Sequence, residues 1–197
     1  MKKRITLAFI LLVVLLFQNI VFAHTYGYRW NYINIIPKYT TPGSPMQKQL
    51  LMQSYGVDIG SDYTSAFYWA KKRWNDFSDK YIYITDSSYA TSTIDVRTGY
   101  WDPTWPANGY GATERYITNN NITYAAMYIN PNTTANFSFE NKTKVFIHEF
   151  GHCAGLEDTN DGTVTVMRQG KWSDFGYGST VYPQAHDRSD LASYYPY

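Results

Sequence analysis

Residues 148–158 read HEFGHCAGLED: His148-Glu149-Phe150-Gly151-His152-Cys153-Ala154-Gly155-Leu156-Glu157-Asp158. His148 and His152 are four apart, so on a helix they share one face, within about 40° of each other. Two imidazoles stacked in that way can bind one metal ion, and the carboxylate of Glu149 reaches the side of the same ion. With His148 set at 0°, Val145 falls at about 60° and Glu149 at about 100°, whereas Phe146, Ile147, Phe150 and Ala154 fall between about 160° and 260°. One side of the predicted helix, which starts near Ser138, therefore faces a metal, and the opposite side is apolar and suited to pack under a sheet.

Structural zinc takes four protein donors, whereas catalytic zinc takes three and keeps a position for water. His148 and His152 supply two nitrogens. Gly155 tolerates the positive φ of a sharp exit from the helix, and three residues later Asp158 returns over the histidines as the expected third ligand. Two rivals stand beside it. Asp174 lies in GKWSDFGYG (Gly170–Gly178), and His186 opens QAHDRSDLASYY, a short terminal helix with Asp187 or Ser189 as its cap. No Glu follows Glu157, which excludes a downstream glutamate as a ligand.

Outward from the motif, the amino terminus carries Lys2, Lys3 and Arg4, an apolar run from Ile5 to Phe17, and Val21-Phe22-Ala23. This is the pattern of a secretory signal peptide over residues 1–23. The apolar run is shorter than the ~20 residues a bilayer span needs. The expectation is export into the extracellular space, with no stable membrane association after cleavage. Residues 24–197 then form a single domain. Its charge balance, 14 Lys+Arg against 16 Asp+Glu once the three leader cations are removed, shows no basic stripe, so nucleic acid is not an expected partner. Cys153 is the only cysteine. It excludes an internal disulfide and reads as a buried thiol, 100° to 140° round the helix from the histidines.

Along the chain, Trp30–Ile36 reads as a strand and Pro45–Ser54 as a short helix. A longer helix follows, capped by Ser61 or Asp62, with Tyr63, Phe67, Ala70, Trp74 and Phe77 as its core stripe. Tyr81–Thr85 and Ser92–Arg97 are expected strands, Gly99–Gly111 a structured loop, and Ala112–Thr118 and Ile122–Asn130 two further strands.

The motif residues His148, Glu149, His152, Gly155 and Asp158, followed by Val164-Thr165-Val166-Met167, resemble the metzincin zinc peptidases, in particular the matrixin-like and snapalysin-like members. The resemblance implies a mixed α/β catalytic domain: a twisted, mostly parallel sheet of about five strands, two long helices and a short C-terminal helix. It implies a secreted, monomeric zinc metalloendopeptidase that acts on proteins or peptides. Glu149 would be the general base and Met167 the hydrophobic floor under the metal. An extended substrate would lie along a sheet edge around Tyr124–Tyr128. Structural Ca2+ is common in such enzymes; Asp102 and Asp161 are candidates, without a spacing that identifies a site. The chain departs from the matrixin pattern at Asp158, where histidine is usual and aspartate is the snapalysin-like choice. It departs again at Arg168 and Gln169, which stand where Pro or Tyr is common. It has no room for a propeptide with a switch cysteine between Ala23 and Trp30. The segment containing Asp174 partly resembles the aspzincins. The contrasting expectation is an exported, zinc-stabilised binding module for cell-wall or host-protein ligands.

Overall fold

A computed structural model describes residues 29–30, 50–57, 61–78, 82–86, 92–98, 101–160, 163–169 and 182–195. These contain strands β1 (Arg29–Trp30), β2 (Leu50–Val57), β3 (Ile82–Asp86), β4 (Ile94–Arg97), β5 (Gly111–Thr118) and β6 (Asn121–Ile129), with helices α1 (Ser61–Ser78), α2 (Pro131–Thr134), α3 (Phe139–Cys153) and α4 (Ala185–Tyr194). The fold is mixed α/β. Among the described residues the strands form a six-stranded sheet ordered β1-β6-β4-β2-β3, with β5 on the other side of β6. Every pairing is parallel except β5 with β6.

Sequence pattern explains where each strand sits. β3 and β4 bury Ile82, Ile84, Ile94 and Val96 and expose the residues between, as half-buried strands do. β6 is different: Ala125 to Ile129 are all buried, because it lies inside the sheet with neighbours on both sides. Its link to β5 is a two-residue turn in which Asn119 (φ 51°) and Asn120 (φ 61°) are both left-handed. Asparagine tolerates that conformation, and the turn's twist matches that of paired antiparallel strands.

The two long helices pack on each other and on the sheet. Phe67, Ala70 and Trp74 of α1 are buried as the stripe predicts, while Tyr68 and Trp69 face outward. Phe67 meets Phe146 and Phe150 of α3 at ring separations of 5.8 and 5.5 Å. The Trp74 indole N–H donates to the Ile147 carbonyl at 2.8 Å, so the largest core side chain also has its polar atom satisfied. Each of these aromatic rings contributes roughly 1.5–3 kcal/mol by leaving water. Asn75 closes the far side of the sheet: its amide donates to the Ile84 carbonyl (2.8 Å) and its oxygen accepts from the Ile84 N–H (2.7 Å).

Three expectations need correction. Leu50–Ser54 is strand, not the end of a helix from Pro45; it pairs with β3 on one side, and β2 pairs with β4 on the other. Tyr124–Tyr128 is interior, with Ala125–Tyr128 paired to β4 and β5 at once, so among the described residues the edge left unpaired beside it is that of β5. The cap of α4 is Gln184, with Asp187 completing a reciprocal capping box from inside the helix. Of the strand expected at Trp30–Ile36, Trp30 is in β1 and the remainder lies outside the described residues, as do residues 1–23. Among the described residues no helix is long and apolar enough to cross a membrane.

Candidate metal centre

α3 delivers the motif. Ser138 caps it by accepting from the Asn141 N–H at 3.2 Å, and Glu140 in its first turn favours the helix dipole. It ends at Cys153. Gly155 takes a φ of 93°, and the Gly155 and Leu156 N–H groups bond back to His152 and Gly151 at 3.0 Å. This reversal carries the chain over the helix end and places Asp158 opposite the two imidazoles.

His148, His152 and Asp158 form a group whose donor atoms all lie within 4.8 Å of one another, and which could hold a metal ion. Asp158 Oδ1 is 3.2 Å from His148 Nε2 and 3.4 Å from His152 Nε2. The imidazoles stand edge to face, with centroids 4.6 Å apart. Each Nδ1 faces a main-chain carbonyl, Val166 at 2.8 Å and Leu156 at 2.9 Å. A carbonyl accepts only, so each Nδ1 carries a hydrogen and each Nε2 is the atom left to offer a lone pair to a metal. The Asp158 Oδ1 is buried and faces these two Nε2 atoms. Two imidazole nitrogens and an acceptor-only oxygen converging on one point suit a metal cation.

The electrostatics agree. Burial lowers His148, but Asp158, Glu149 and the Val166 carbonyl outweigh it and push the ring up to about 9. Burial raises Asp158, yet the two histidines hold it below the usual carboxylate range. The cluster thus favours positive charge at its centre, which a proton supplies in the metal-free protein.

Glu149 is 3 % exposed, and its Oε2 accepts a hydrogen bond from the Thr113 hydroxyl of β5 at 2.7 Å. Glu149, the three candidate ligands and Thr113 line a cleft of about 890 Å³ whose wall includes Trp101, Trp105, Tyr110 and Phe137. The two tryptophans and Tyr128 pack edge to face at 5.0 and 4.8 Å, which anchors the long β4–β5 loop on the sheet. Behind the site Met167 is buried with its sulfur against Gly151, where no side chain could stand. The turn that carries Met167 is tied to α4: Asp187 accepts from the Thr165 hydroxyl, from the Val166 N–H at 3.2 Å and from the Gln184 N–H at 2.6 Å.

Of the other candidates, Asp161 and Asp174 lie outside the described residues. His186 is elsewhere, on α4, with Nε2 3.4 Å from Asp190 of the same helix. Asp102 turns its Oδ1 on its own loop, accepting from the Thr104 N–H (2.8 Å) and hydroxyl (2.6 Å). Cys153 is buried, as expected, and burial pushes its thiol far up, so it is neutral and unreactive. The parts that Thr113 and Gly111 play beside Glu149 were not identified from sequence, and Asp187 was read only as a helix cap and not as the tie to Thr165 and Val166; no local spacing signals these contacts. No protein-family model matches the chain, and no curated protein matches it.

Proposed function

We propose that this chain is a secreted zinc-dependent metalloendopeptidase of metzincin type, matrixin-like or snapalysin-like. The observation that carries this reading is the convergence of His148 Nε2, His152 Nε2 and Asp158 Oδ1 beside the Glu149 carboxylate in an open cleft. Zinc held by these three side chains would supply Lewis acidity to a water and to the scissile carbonyl. Glu149, buried on the same helix, would accept the proton of the attacking water and pass it to the departing amine. The extended substrate pairs with the edge of β5 that is unpaired among the described residues, where backbone amides and carbonyls hold it independently of its side chains. The aromatic cleft wall then selects among side chains. Residues 1–23 act as a cleaved export signal, and the enzyme works as a monomer.

Glu149→Ala tests the reading. It is expected to retain one zinc per chain and to lose on the order of 10²–10⁴ in kcat/KM on casein or a peptide library. Wild-type turnover in the variant overturns Glu149 as the base. A wild-type protein that keeps zinc and cleaves nothing in the library favours the zinc-stabilised binding module.

A further inference from the structure

Resting on the peptidase reading, we infer that Gly111 and Thr113 of β5 are positioning residues that seat the Glu149 carboxylate. They are two apart on one strand and so share a face, the one turned to α3. The Thr113 hydroxyl reaches two oxygens of Glu149, Oε2 at 2.7 Å and the main-chain oxygen at 3.3 Å, with the Cys153 thiol beside it. A single side chain therefore registers both the backbone and the carboxylate of one residue. Gly111 clears the other side. A Cβ there would stand 2.8 Å from Glu149 Cγ and Cδ, so the glutamate stem fills the space a side chain would take.

Glutamate has three rotatable bonds, and a base free to sample them spends little time aimed at the reacting water. Here the stem runs through the space left by Gly111, and the Thr113 donor holds its end. Because β5 is also the strand on which a substrate would pair, the Thr113 bond ties the base on α3 to the element that would hold the scissile bond.

Thr113→Val keeps the volume and removes the donor; Thr113→Ser keeps the donor. With zinc content unchanged, Thr113→Val is expected to lower kcat on the order of ten- to a hundred-fold while KM stays within about twofold, and Thr113→Ser to restore most of it. Gly111→Ala displaces the stem and is expected to lower kcat similarly. A second readout does not depend on turnover. Glu114, Glu140, Glu149 and Glu157 are the only glutamates. Labelling with side-chain 13C-glutamate thus gives one carboxyl line each in the zinc-loaded protein at a fixed pH, with Glu149 identified by its loss in Glu149→Gln. The seat predicts that this line moves or broadens in Thr113→Val and holds in Thr113→Ser. An unmoved line with unchanged kcat in Thr113→Val, or equal losses in both variants, overturns it. If the wild type hydrolyses no peptide, the peptidase reading fails alone, and the carboxyl line by itself decides whether the seat exists.

Discussion

At the residue scale, the arrangement of His148, His152 and Asp158 sets how the centre responds to acid. His148 is raised to about 9 in the metal-free protein, so at neutral pH its ring is charged, and a cation must displace that proton. Zinc affinity should therefore climb by up to about tenfold per pH unit and level off above about pH 9. Titration calorimetry in buffers of differing ionisation enthalpy would count the released proton. The sign for stability is separate. A raised imidazole stabilises the metal-free fold fully below its unfolded value of about 6.5 and loses that contribution as pH rises through about 9. The depressed Asp158 acts above its unfolded value of about 4 and loses its contribution as pH falls through its folded one. Metal-free protein should thus melt highest between about pH 4 and 6.5, which thermal scans across pH would show. The grouping of these three side chains was legible in the sequence because helix pitch and one glycine turn bring them together within eleven residues. Thr113 was not, since 36 positions separate it from Glu149 and only sheet-on-helix packing joins them.

At the element scale, the turn carrying Met167 is a strut between α4 and the metal helix. Asp187 holds the Val166 N–H and the Thr165 hydroxyl, and the Val166 carbonyl holds His148 Nδ1. Asp187→Asn leaves a buried donor mismatched and should destabilise by about 1–3 kcal/mol. It should also weaken zinc binding roughly ten- to a hundred-fold through the loosened imidazole. A denaturation curve and a chelator competition measure the two effects. On the opposite side, Gly151→Ala drives a methyl into the Met167 sulfur, with Trp74 close behind, and should cost about 1–3 kcal/mol by overpacking. Calorimetry would register it as a lower Tm. Element types followed sequence period where one face is buried, as in α1. They failed at β2: Leu50-Leu51-Met52 is an apolar run without alternation in a strand that pairs in parallel with β3 and, from Ser54 on, with β4, and its period does not separate strand from helix.

At the scale of the whole molecule, no disulfide can brace the fold, and packing of α1, α3 and the sheet must hold it. Reducing agents should leave Tm unchanged. Free zinc at a hundred times its Kd should raise stability by about 2.7 kcal/mol, because the folded chain binds it and the unfolded chain does not. A thermal series over buffered zinc concentrations checks both. The layering of helices on a mostly parallel sheet was foreseen from the motif's resemblance, but which strand lies outermost was not, because β5 and β6 have similar lengths and sit in one hairpin. That outermost position carries a hazard common to bare sheet rims, the zipping of like chains into a growing ribbon. The ladder between β5 and β6 slips between Tyr116 and Ile117, where the rim becomes apolar and exposed. A bulge there bends the strand away from any straight neighbour. A short, pliable guest still finds the regular stretch from Gly111 to Arg115, whereas an identical stiff copy meets a crooked rail and cannot propagate.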